Sequence, residues 1–244
     1  MNYHKYIWTL LITIILSFIA LPLMAAEKPA VQGKNASQAK PDQQPPVYLK
    51  NIIVIAIDDW PEKYVNDGTM PRVSGLGQEG IRGKVLDIAP LKGEKNNLDI
   101  LFGSLPDLYK ESQRLSMLID SDDNKNTVNN KYNYIFALDA AERTNPEKIF
   151  KTVTENFSKL NPYFTLVNMA SPQGSEADKT KFFRQVDSGI GRLMASLQEK
   201  GNYHNTMLVI LGKTSVHSST PGTSALKDDP PLYPLILRGP NLLN

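Results

Sequence analysis

Three kinds of hydrophobic pattern alternate along this chain. The first is an unbroken apolar run. From Tyr6 to Leu23 no residue is charged, and most are Leu, Ile, Ala or Phe. The second kind is a set of short aliphatic or aromatic runs at Asn51–Ile57, Ile81–Ile88, Tyr132–Leu138, Tyr163–Met169, Asn205–Leu211 and Leu235–Leu237. Asn51-Ile-Ile-Val-Ile-Ala-Ile57 has no polar alternation, which predicts a strand buried on both faces. The third kind has helical spacing. Asn145-Pro146-Glu147 starts a predicted helix that runs to Leu160, with Ile149, Val153 and Phe157 on one face. Phe182, Phe183, Val186, Ile190, Leu193, Met194 and Leu197 mark one face of a longer helix over residues 177–200, stopped at Gly201. Met70–Gly80 predicts a short helix with Val73 and Leu76 inward, and Leu98–Leu105 another, broken by Pro106. Strands separated by helices predict an α/β domain: a three-layer α/β/α sandwich around a mostly parallel sheet.

The apolar run at the N-terminus changes the domain picture. Lys5 precedes it, and Met24-Ala25-Ala26 follow before Glu27, the first acid. Residues 1–26 therefore read as a signal peptide, with cleavage near Ala25 or Ala26, or as an uncleaved membrane anchor that touches lipid through residues 6–24. Residues 27–47 are rich in Ala, Lys, Gln, Pro and Ser and read as a flexible tether. Residues 48–244 form the α/β domain. The expected location is periplasmic or secreted, or anchored in the inner membrane with the domain outside the cytoplasm.

Composition then removes several classes of function. The chain has no cysteine, which excludes disulfides, thiolate nucleophiles and lipidated cysteines. Of 27 basic residues, only Lys5 lies in residues 1–26, leaving 26 against 25 acids in the rest of the chain. So even a balance gives no field for nucleic acid. The polar stretch 120–131 reads as a solvated loop, because it lacks the glycine and terminal glutamate of a calcium loop.

The candidate chemistry begins where the first strand ends, at Asp58-Asp59. Carboxylates at the carboxyl end of a central strand lie where open α/β sheets keep their ligand sites. The same pair also suits a simple turn cap. Asn51 to Asp59, then Thr69-Met-Pro71-Arg-Val73-Ser-Gly-Leu76 and Glu79-Gly80-Ile81, form a first block. Phe183, Val186-Asp187-Ser-Gly-Ile190-Gly191-Arg192-Leu193, Leu197, Gly201, Asn205-Thr206 and Leu208-Val209-Ile210 form a second. Pro234-Leu235-Ile236-Leu237-Arg238-Gly239-Pro240 forms a third. In this order the blocks resemble the sulfatase family of the alkaline-phosphatase-like superfamily. The resemblance implies that family's large α/β domain in a shortened, truncated form.

It also implies a metal site, and Asp58 and Asp59 match the family's first metal-binding pair. Two other expected parts do not match. The resemblance places the nucleophile ahead of Leu101-Phe102-Gly103, but Leu91–Asn97 holds no Cys, Ser or Thr, only Lys92 and Lys95 beside Gly93. Where the family has Ser-Asp-His-Gly after its late strand, this chain has Leu211-Gly212-Lys213-Thr214-Ser215. Lys213 is therefore expected to pair with the Asp58 and Asp59 carboxylates, since unpaired buried acids are destabilising.

Of the three histidines, His4 falls in residues 1–26, His204 in a polar turn, and His217 just past the altered motif. Asp58, Asp59 and His217 are the candidate metal ligands, enough for one calcium or magnesium ion and too few for two metals. No catalytic or cofactor-binding residue is assigned, and no cofactor is expected beyond that single cation. The reading is a degenerate sulfatase-like domain at the cell envelope that binds an envelope protein or an anionic ligand. The alternative is a metal-dependent hydrolase or transferase of sulfuric or phosphoric esters built on Asp58 and Asp59.

Overall fold

The computed structural model describes residues 48–86, 113–120, 132–139, 142–213, 232–240 and 242. The expected signal or anchor, the tether, the predicted helix at 98–105, the segment 91–97 and His217 lie outside them. No described helix is long and apolar enough to cross a membrane.

β1 (Asn51–Asp58) is buried at every position, as its unbroken aliphatic run predicts. It lies in the middle of a seven-stranded sheet with β2 (Ile81–Leu86), β3 (Ser116–Asp120), β4 (Tyr134–Ala137), β5 (Phe164–Met169), β6 (Thr206–Lys213) and β7 (Leu232–Arg238). The order is β2-β7-β6-β1-β5-β3-β4. β4, β3, β5, β1 and β6 run parallel, while β7 is antiparallel to both of its neighbours. The mostly parallel α/β sheet expected from the sequence is thus present.

The helices are α1 (Lys63–Asn66), α2 (Pro71–Glu79), α3 (Pro146–Leu160) and α4 (Glu176–Glu199). Each end has a local cause. Asn145 caps α3 by accepting from Lys148 N, Pro146 takes the first turn, and Asn161 ends the helix in the left-handed region (φ 43°). Ser175 and Asp178 form a reciprocal capping box at the start of α4. The two helices lie unusually close, because a Cβ at Gly189 would fall 2.1 Å from the Phe150 ring.

Alternation sorts β1 into two faces. Ile53, Ile55 and Ile57 join Leu208, Ile210 and the inward residues of α2, α3 and α4 in one core. Val54 and Ala56 point the other way and are fully buried as well. Both faces of β1 are thus buried, and all four described helices contribute to the core on the Ile53 face. Asp58 follows the Val54–Ala56 face. Two elements had no sequence signal: the four-residue α1 and strand β3, whose Ser-Met-Leu-Ile-Asp is short and poor in β-branched residues.

Candidate functional site

The parallel strands β3, β5, β1 and β6 end together, and their last polar residues form a rim. Register decides which of them meet. Asp58 on β1 is the direct partner of Lys213 on β6. Cross-strand partners project from the same face of a sheet, so the carboxylate and the ammonium face each other. Lys213 Nζ donates to Asp58 Oδ1 in a buried ion pair. The two side chains are 9% and 11% exposed, Lys213 first, so water screens the pair little. The pairing expected for Lys213 from the sequence is made to Asp58.

Two strands along, Asn168 sits between Ala56 and Asp120 in register. Its Nδ2 donates to Asp120 Oδ1 at 2.9 Å. Asn168 Oδ1 is buried without a hydrogen-bond partner among the described residues. The rim thus carries two acids, and a described neighbour engages each of them.

Asp59 follows a different course. Its backbone turns into the left-handed region (φ 46°), a conformation that is uncommon outside glycine. Its N–H donates to Lys213 O at 2.7 Å, which extends the β1–β6 ladder by one bond. The turn is pinned on its far side by Trp60, which is fully buried in the helical core. Tyr233 of β7 reaches the same carboxylate, its phenol donating to Asp59 Oδ1 at 3.4 Å. Gly212 makes room for this reach. A Cβ there would lie 2.7 Å from the Tyr233 Cβ.

The segment beyond Asp59 is held against α4. Tyr64 stacks on Phe183 with ring centroids 4.4 Å apart, and its hydroxyl donates to Glu176 Oε1 at 2.7 Å. Lys63 Nζ donates to the same oxygen at 2.5 Å. These bonds, Lys63 first and Tyr64 second, hold the Glu176 carboxyl below its ordinary pKa. Burial, with help from Glu176, raises the Tyr64 phenol above its own.

A second buried acid lies one helix away. Asp187 sits on the apolar stripe of α4 between Phe183 and Ile190, and is 2% exposed. Its Oδ1 accepts from Arg72 N at 2.8 Å and from Val73 N at 3.0 Å. Its Oδ2 accepts from Arg72 Nη1 at 3.0 Å. α2 has no side-chain cap of its own, so Asp187 caps it from another helix.

Of the residues singled out from the sequence, the structure brings Asp58, Asp59 and Lys213 together. His204 faces solvent. Among the described residues, no group of three or more His, Asp or Glu side chains could hold a metal ion. Sequence reasoning missed Tyr233, Gly212 and the capping role of Asp187. For Asp187 a signal existed, since a charge on an otherwise apolar helical stripe needs a buried partner. Tyr233 and Gly212 gave none, because their meeting depends on how β7 crosses the end of β6.

No protein-family model matches the chain, and no curated protein matches its sequence. Solved structures do match. Over 81% of this chain it is similar to the lipoteichoic acid synthase LtaP from Listeria monocytogenes, at 13% identity and a TM-score of 0.52. Over 81% it is also similar to an alkaline phosphatase superfamily protein from Vibrio parahaemolyticus, at 14% identity and a TM-score of 0.54. The chain spans 67% of the first of these proteins and 62% of the second. These two likenesses show the fold: the chain has the fold of the alkaline-phosphatase-like superfamily.

Proposed function

We propose that this chain is a degenerate sulfatase-like domain of the cell envelope, which binds an envelope protein or an anionic ligand and does not hydrolyse esters. The observation that carries this reading is the buried Lys213–Asp58 ion pair at the carboxyl end of the central strands. Ester hydrolysis of the kind the resemblance implies needs an attacking oxygen and a metal that stabilises it. The sequence offers no Cys, Ser or Thr in Leu91–Asn97. The carboxylate that would face the metal already faces an ammonium. The N-terminal apolar run supports an address outside the cytoplasm, by export or by anchoring.

The second reading, a metal-dependent hydrolase or transferase of sulfuric or phosphoric esters, draws support from Asp59. Its left-handed backbone places a carboxylate at the mouth of the rim, and strained residues gather at functional sites.

Aryl sulfate and aryl phosphate esters, each offered with calcium, magnesium, manganese or zinc, separate the two readings. The expected result is turnover no faster than in buffer. Turnover that disappears in Asp58→Ala would establish the hydrolase instead.

A further inference from the structure

The residues at the strand ends disagree with the resident metal that the fold family implies. We propose that the Lys213 ammonium is a built-in cation for Asp58, which closes this position to divalent metals, and that removing it opens the position. The inference rests on the reading of the domain as non-hydrolytic.

Register makes the pairing obligatory. Asp58 and Lys213 are direct partners on adjacent parallel strands, and the bond from Asp59 N–H to Lys213 O fixes the ladder just beyond them. Slipping β6 by one residue would break a buried pairing that runs from Asn51–Thr206 to Asp58–Lys213. The ammonium therefore lies at the carboxylate whenever the sheet is formed.

Charge makes the pairing exclusive. A protonated lysine has three donors and no lone pair, so it cannot ligate a metal. A divalent cation at Asp58 would lie beside a buried positive charge, where like charges repel strongly because little water screens them. At Asp59 one carboxylate oxygen is engaged as well, by the Tyr233 hydroxyl that Gly212 admits. Of the two acids that match a metal-binding pair, one thus faces an ammonium and the other shares an oxygen with a phenol of this chain. The sheet end gains its counter-charge from the sequence itself, so the fold does not depend on metal supply.

The test uses the full chain and the metals alone. Manganese, calcium, magnesium and zinc are titrated by calorimetry into the wild type, Lys213→Ala and Lys213→Gln, and thermal unfolding is followed with and without millimolar metal. The wild type should show no heat of binding and no rise in Tm. Lys213→Ala should melt lower, regain several degrees with metal, and show a heat of binding that the wild type lacks. Lys213→Gln serves if the alanine variant does not fold. Asp58→Asn/Lys213→Met, which removes both charges, should fold and show no response to metal.

Metal binding by the wild type that is lost in Asp58→Asn would overturn the proposal. So would lysine variants as indifferent to metal as the wild type. Ester turnover without added metal would defeat the non-hydrolytic reading alone. Asp58-dependent metal binding by the wild type, without turnover, would defeat this inference alone.

Discussion

Two buried carboxylates, Asp58 and Asp187, solve the same problem in different ways. Asp58 sits at the end of a strand and, among the described residues, is met by the Lys213 ammonium, 155 positions away in sequence. Asp187 sits inside a helix and is met by two backbone N–H groups and a guanidinium, all from the first turn of α2. Backbone donors at a helix start are present in any chain that forms the helix, whereas a lysine at a strand end must be supplied by that one position. The difference separates an acid held by backbone geometry from one held by a single side-chain charge.

The comparison is broken most severely at Lys213. Lys213→Ala leaves a buried carboxylate without its ammonium and is expected to destabilise the fold by about 3–5 kcal/mol. Asp58→Asn/Lys213→Met should recover most of that loss, because an uncharged pair has little to desolvate. Urea unfolding of the wild type, Asp58→Asn, Lys213→Met and the double variant measures the coupling directly. A double mutant as unstable as Lys213→Ala would show that packing, not charge, dominates the site.

At the other acid the loss is spread over weaker partners. Asp187→Ala removes a charged acceptor from two backbone donors and should cost about 2–3 kcal/mol. Arg72→Ala should have a much smaller effect, because its side chain is more than half exposed and the backbone bonds remain. Comparable losses in the two variants would mean that the ion pair, rather than the cap, holds α2.

A third change tests whether the placement of α4 matters to Asp187. Gly189→Ala drives a methyl into the Phe150 ring and should destabilise by about 1–3 kcal/mol through overpacking. If α4 shifts in response, amide hydrogen exchange in the first turn of α2 should quicken, since its cap moves away. Unchanged exchange there would localise the strain to α3.

The smallest expected effect is on pH dependence. Glu176 has a folded pKa below its unfolded value, so its contribution is present at neutral pH. It is lost as pH falls from the ordinary glutamate value, about 4.3, through the lower folded one. Glu176→Gln should therefore flatten this part of the acid limb of the stability curve slightly and leave the response at Lys213 unchanged. An acid limb identical to the wild type's would mean that the Lys63 and Tyr64 bonds exchange freely with water.

Periodicity alone located α3 and α4 almost to the residue, because a buried face imposes the 3.6-residue spacing on the sequence. The aliphatic runs likewise located β1, β5 and β6, whose burial on both faces leaves few other residue types acceptable. The Asp58-Asp59 pair and Lys213 were legible for the same reason: they end runs that were themselves legible. Tertiary structure decided the rest. Only the register of β6 on β1 makes Lys213 the partner of Asp58, only the path of β7 past Gly212 brings Tyr233 to Asp59, and only the packing of α4 on α2 turns Asp187 into a cap. Each depends on residues far apart in the chain, and local pattern carries no record of which distant strand or helix will lie beside it.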